Sequence, residues 1–137
     1  MSLVVLAFLI PGAWGMAQGG LDPPEAGEVV RAFREDGLPV GEPRPLEEVP
    51  AWRESPAPDS YASATRFDIP GEGQGTVFVF TRPENMQAMY DYYDNIGNVA
   101  PELESRLYYN GPVLLQIDGD VPEQSADRYA IALRAYV

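Results

Sequence analysis

Residues 76–80, TVFVF, constrain this chain more than any other stretch. Successive side chains of a strand point to opposite sides, and here both sides are apolar. Such a strand belongs inside a sheet and needs a layer of structure above it and another below. Neighbouring runs supply the rest of that sheet. TRFDI (65–69) alternates Thr65, Phe67 and Ile69 with Arg66 and Asp68, and PGEGQG then turns the chain into the central run. Further on, RLYY (106–109) and VLLQI (113–117) flank Asn110 and Gly111, which suit the positive φ of a tight hairpin turn.

Three stretches share one grammar: DPPE (22–25), TRPE (81–84) and DVPE (120–123). In each, Asp or Thr can accept from the N–H of the Glu three positions on, that Glu can reach back, and proline fixes the first turn. They predict three helix starts. The first helix carries Ala26, Val29, Val30 and Phe33 on one stripe and stops at Gly37, with Leu38 folding back on Phe33 and Pro39 preventing continuation. The second aligns Met86, Met89, Tyr90, Tyr93 and Ile96 against Gln87, Asp91, Asp94 and Asn95, with Tyr92 at the flank. The third repeats the spacing with Ala126, Tyr129, Ala130 and Leu133, then Tyr136 and Val137.

The expected order is a helix, a proline segment at 39–63 (Pro39, Pro43, Pro45, Pro50, Pro56, Pro58), then ββαββα. So many prolines exclude a helix or an inner strand, which leaves an extended cover anchored by Trp52 or a mobile loop. A right-handed crossover through the second helix places 105–109 two positions from 76–81. The hairpin drops 112–117 between them, and 64–69 pairs on the free side. The prediction is an α+β domain with a four-stranded antiparallel sheet, circularly permuted ferredoxin-like, and two helices on one face. The extra N-terminal helix with the proline segment, or a second subunit, covers the other face.

Composition narrows the chemistry. The 137 residues suffice for one domain. Nine arginines, no lysines and 21 acids give a net charge of -12, so phosphate backbones and anionic membrane surfaces are repelled. With no histidine and no cysteine, imidazole catalysis, thiol nucleophiles, disulfides and Cys/His zinc sites are absent. The opening MSLVVLAFLIPGAWGMAQGG is uncharged, runs apolar from Leu3 to Ile10, breaks at Pro11 and Gly12, and offers Gly15, Met16, Ala17. It reads as a signal peptide over 1–17, leaving 18–137 as one exported domain, periplasmic, cell-surface or secreted. The apolar run is shorter than the roughly 18–20 residues of a span, so membrane association is expected only through an uncleaved N-terminal segment.

Candidate sites are few. IDGD (117–120) has calcium-like residues without the six or more ligands or the distal bidentate Glu that calcium requires. Glu72, Glu102, Glu104, Asp118 and Glu123 lie near turns and admit a paired-carboxylate mechanism. Arg66 and Arg106 are expected to point outward from edge strands. The runs VVRAFREDGLPV, TRFDIPG, VFVFTRPENMQAMYDYY and YYNGPVLLQIDGDVPEQSADRYAIAL, within residues 29–133, resemble a family of short exported bacterial proteins, many of them lipoproteins, without assigned function. The resemblance implies an extracytoplasmic setting and a shared fold, and no catalytic residues; this chain lacks the cysteine that acylation needs.

The expectation is therefore a non-enzymatic extracytoplasmic binding or interaction module, with no cofactor and no metal, facing an envelope or extracellular protein. Its expected contact surface is the proline segment and an open sheet face: Trp52, Tyr61, Phe78, Phe80 and Tyr92. The alternatives are a small cell-envelope hydrolase using paired carboxylates and a structural homodimer closing two sheets together.

Overall fold

The computed structural model describes residues 23–46 and 61–136. The signal-peptide expectation for 1–17, the Trp52 anchor with the interior of the proline segment, and Val137 lie outside the described residues. The chain forms an α+β fold. Its five strands are β1 (Arg44–Pro45), β2 (Ser63–Ile69), β3 (Gly73–Val79), β4 (Ser105–Asn110) and β5 (Val113–Asp118). They make one antiparallel sheet in the order β1-β2-β3-β5-β4. The helices are α1 (Ala26–Glu35), α2 (Pro83–Val99) and α3 (Glu123–Tyr136), with a short 3-10 turn at Pro101–Leu103.

The order of the four longer strands follows the pattern expected from alternation and hairpin signals. The fifth strand comes from the proline segment: Arg44 pairs with Arg66 and Pro45 with Thr65. It occupies the edge, where a residue without an N–H breaks no ladder. Gly73, Gln74 and Gly75 belong to β3 and not to the turn. Gly75 pairs with Phe67, whose ring lies where a Cβ would stand, at 2.6 Å. In the β4–β5 hairpin Gly111 alone takes a positive φ, 56°.

The two faces are covered by different helices. Phe67, Ile69, Val77, Val79, Val113, Leu115 and Ile117 form one core with Val29, Val30 and Phe33 of α1 and Tyr129 and Leu133 of α3. Phe33, Phe67 and Tyr129 meet as a ring cluster with centroids 5.7–5.9 Å apart. The Tyr129 hydroxyl donates to the carbonyl of Pro39, tying the start of the proline segment to α3. Ala64, Phe78, Phe80 and Leu114 form the second core with Met86 and Met89 of α2, and Leu46, Tyr61, Tyr90 and Tyr93 pack against it.

The expected pairing of the second and third helices on one face is thus corrected. Among the described helices, α1 and α3 share one face and α2 lies on the other. The connection through α2 joins two parallel strands, so sheet geometry constrains it. Helix α3 follows β5. Its Tyr129 stripe is placed by the Phe33 stripe of α1.

Helix ends also differ from the DPPE, TRPE and DVPE expectation. The N-cap of α1 is Glu25, whose N–H donates to the Glu28 carboxylate at 3.2 Å. The N-cap of α2 is Arg82, so Pro83 occupies the first helical position and Thr81 stays outside. For α3 the first carbonyl used is that of Pro122, accepting from Ala126 N–H at 3.0 Å, and Asp120 is no cap. Proline suits the very start of a helix, where its missing N–H is not needed: Pro83 opens α2, Pro122 immediately precedes α3, and both prolines of the first motif lie before the α1 cap. The α1 terminus is as expected. Gly37 has φ 89°, Leu38 N–H donates to the Phe33 carbonyl at 3.1 Å, and Gly37 N–H to that of Arg34 at 3.0 Å.

Candidate functional site

Helix α2 covers only half of its sheet face. Side chains on one face recur every second residue, and two residues along each central strand from Ala64, Phe78 and Leu114 stand Arg66, Thr76 and Gln116. The pairings Arg66↔Thr76 and Thr76↔Gln116 align these three in one row. One row further, Asp68 pairs with Gln74 and Ser105 with Asp118. The half-sheet beneath Phe78 is therefore polar by register.

Hydrogen bonds fix that floor. Arg66 Nε donates to Thr76 Oγ1 at 3.3 Å, and Gln116 Nε2 donates to Ser105 Oγ at 2.9 Å and to Asp118 Oδ1 at 3.3 Å. The Gln74 N–H donates to Asp118 Oδ2 at 3.1 Å, and its amide donates to Asp68 Oδ1 at 3.0 Å. Gln116 is 5% exposed and Thr76 1%. Polar side chains this buried are held by such bonds, so the floor is rigid. The Gln74 amide, and after it the Arg44 guanidinium 3.4 Å away, hold the Asp68 carboxyl below the usual carboxylate range.

Above this floor lies an open cleft of about 420 Å³. Tyr92, Tyr93 and Ile96 of α2 form one wall, and Glu102, Leu103 and Glu104 form the other. Asp118, Gly119 and Asp120 close the end. Four carboxylates, from Glu102, Glu104, Asp118 and Asp120, thus face one guanidinium, Arg66. Tyr92 and Tyr93 meet edge to face, centroids 5.2 Å apart.

Gly119 sets the width of the cleft. Its N–H donates to the Glu104 carbonyl at 2.9 Å, and an added Cβ would stand 2.5 Å from that oxygen. Because the obstacle is backbone, it cannot rotate away. Gly119→Ala is expected to cost about 1–3 kcal/mol in urea unfolding and to displace Glu104 from the cleft wall. A loss within about 0.5 kcal/mol, the range of ordinary surface changes, would show that the wall yields freely.

The expected contact residues scatter. Phe78 and Phe80 are each 1% exposed beneath α2, so the half of the sheet face that they occupy, expected to be open, is closed. Tyr61 is half-buried against Phe78, centroids 5.5 Å apart. Tyr92 is half-buried and lines the cleft. Among the carboxylates, Glu102, Glu104 and Asp118 converge, whereas Glu72 accepts from Ser125 Oγ at 3.1 Å and Glu123 lines a separate groove beyond β4. Arg66, expected to point outward, lies in the cleft, and Arg106 Nε donates to the Val121 carbonyl at 3.0 Å.

Gln74, Ser105 and Gln116 were not signalled as site residues by composition. Their trace in the sequence is a glutamine inside the apolar VLLQI run, which the hairpin register sets opposite Leu107 on one side and Thr76 on the other. Among the described residues no group of three His, Cys, Asp or Glu could hold a metal ion, and no helix is long and apolar enough to cross a membrane. No protein-family model, curated protein or solved structure matches the chain.

Proposed function

We propose that this protein is an extracytoplasmic, non-enzymatic binding module whose contact site is the acidic cleft beside α2, and that the cleft takes an organic cation, an amine or guanidinium group with a short apolar stem. The observation that supports it is a polar floor, fixed by hydrogen bonds and buried at Gln116, under a wall of tyrosines and a rim of carboxylates. A concave site of one charge sign concentrates the opposite charge. Tyrosine faces attract cations through the ring quadrupole, and Ile96 and Leu103 suit the stem. A floor already ordered costs little to organise on binding. The exported setting is carried by the reading of residues 1–17 and by the resemblance to exported bacterial proteins.

The test is titration with acetyl-arginine amide and with a linear diamine, followed by tyrosine fluorescence. Binding is expected to weaken as salt rises. In the Glu102→Gln/Glu104→Gln double variant it should weaken by about tenfold or more, the scale of a lost charged hydrogen bond. No saturable signal with either cation, or equal affinity in the double variant, refutes the assignment.

A small cell-envelope hydrolase is the second candidate, favoured by Glu102, Glu104 and Asp118 meeting in one cleft. Asp118 already accepts with both oxygens, so the two glutamates would carry the proton transfers. Turnover of aryl glycosides that vanishes in Glu104→Gln would install this reading in place of the first. A homodimer closing two sheets together has less support, since α2 covers one face and α1 with α3 the other.

A further inference from the structure

The outer edge of β4 is built differently from the opposite edge of the sheet. β1, at one end of the strand order, is two residues long and includes Pro45; β4, at the other, is six residues long and has no proline. Its free hydrogen-bonding groups follow from the ladder. Phe80 N–H donates to the Pro112 carbonyl at 2.9 Å, and Gly119 N–H to the Glu104 carbonyl at 2.9 Å. Bonding alternates along an antiparallel pair, so Arg106 and Tyr108 bond to β5, while the N–H and C=O of Ser105 and Leu107 point away from the sheet. That edge is the floor of a groove of about 510 Å³. Tyr90 and Asp94 of α2 wall it on one side, and Asp127, Ile131 and Arg134 of α3 on the other.

We propose that this groove receives an extended basic peptide, which adds to β4 as a sixth strand. Main-chain bonds to Ser105 and Leu107 would hold it, as in other strand-addition complexes. The charge of the groove selects the partner. Asp94, Glu104, Glu123 and Asp127 outnumber Arg106 and Arg134 along it, and Arg106 Nε is already engaged by the Val121 carbonyl. The two walls differ in character, and successive side chains of an added strand face them alternately. One set meets Tyr90, Asp94 and Glu104. The other meets Ala130 and Ile131, the latter 62% exposed, an apolar patch set between Asp127 and Arg134 in the chain. The fitting sequence therefore alternates arginine or lysine with valine or isoleucine. A second copy of this chain fits poorly, because its own β4 is recessed between its own α2 and α3 and it carries the same net charge of -12.

The groove shares Glu104, Ser105 and Gly119 with the cleft, but pairing to the main chain of β4 does not depend on the ligand of the cleft, and the test separates the two. A capped decapeptide alternating Arg and Val is titrated into the isotope-labelled full chain, with amide hydrogen exchange as the readout. Exchange at Ser105 and Leu107 is expected to slow by about tenfold or more at saturation. The same peptide N-methylated at alternate residues, on the edge that would face β4, should bind about tenfold more weakly, and a Glu/Val peptide should not bind. Ile131→Glu, at an exposed position that leaves the fold intact, should weaken binding of the Arg/Val peptide. Unchanged exchange at Ser105 and Leu107, equal binding of the N-methylated peptide, or shifts confined to Tyr92 and Gln116 would each overturn the proposal. So would protection of β4 that rises with protein concentration in the absence of peptide.

Discussion

Replacing Phe78 by alanine is expected to lower the free energy of unfolding by about 3–5 kcal/mol, a large part of what a domain of this size has. Phe78 is 1% exposed and packs with Phe80, Tyr61 and Tyr93, centroids 5.5–6.3 Å away. Among the described helices, α2 is the one that rests on this second core. Removing the ring leaves a cavity beneath α2, which forms one wall of the cleft, so ligand binding should fall together with stability. Phe78→Leu, which keeps most of the volume, should cost about 1–1.5 kcal/mol. Urea unfolding of both variants is the check. A change within about 0.5 kcal/mol for the alanine variant would return Phe78 to the surface role that its sequence position suggested.

Tyr129→Ala should cost a similar about 3–5 kcal/mol, and Tyr129→Phe only about 1 kcal/mol for the lost hydrogen bond. The ring fills the junction of α1, α3 and the sheet, and the hydroxyl serves the Pro39 carbonyl. The two variants also differ in alkaline behaviour. Burial pushes the Tyr129 hydroxyl from its ordinary value of 10.0 up to about 12, with the Arg128 charge opposing and Glu72 adding to the rise. The folded chain keeps the proton to higher pH than the unfolded chain does. The stabilisation is therefore complete below about pH 10 and is lost as pH rises through about 12. Tyr90, Tyr108 and Tyr136 are shifted upward by burial as well, so Tyr129→Phe should flatten the alkaline loss without abolishing it. Unfolding midpoints measured between neutral pH and pH 11 test this; a Phe variant with the full alkaline slope would remove Tyr129 from the account.

Strand order was legible in the sequence because three local signals agreed. These were the two-faced TVFVF run, the Asn110–Gly111 hairpin, and a helix long enough to cross between parallel strands. The side taken by α3 was not legible, because its spacing marks an apolar stripe without naming the surface that the stripe meets. Its placement is a tertiary matter, decided by Phe33 and Tyr129 meeting edge to face at 5.7 Å. The cleft was missed for a different reason. Gln74, Thr76, Gln116 and Asp118 are separate polar residues in the sequence, and only register gathers them on one half of one face. Met86 and Met89 were correctly assigned to the core, whereas Phe78 and Phe80 were placed on a surface that α2 in fact closes.

The unequal ends of the sheet carry one more consequence. Stacking into a cross-β fibre requires every incoming chain to present a fresh edge for the next. Here, whatever pairs with β4 leaves β1 as the far terminus of the described strands, two residues long and interrupted by a proline that has no N–H to give. Growth through the described strands ends at that edge, which keeps assembly through them finite even at high protein concentration.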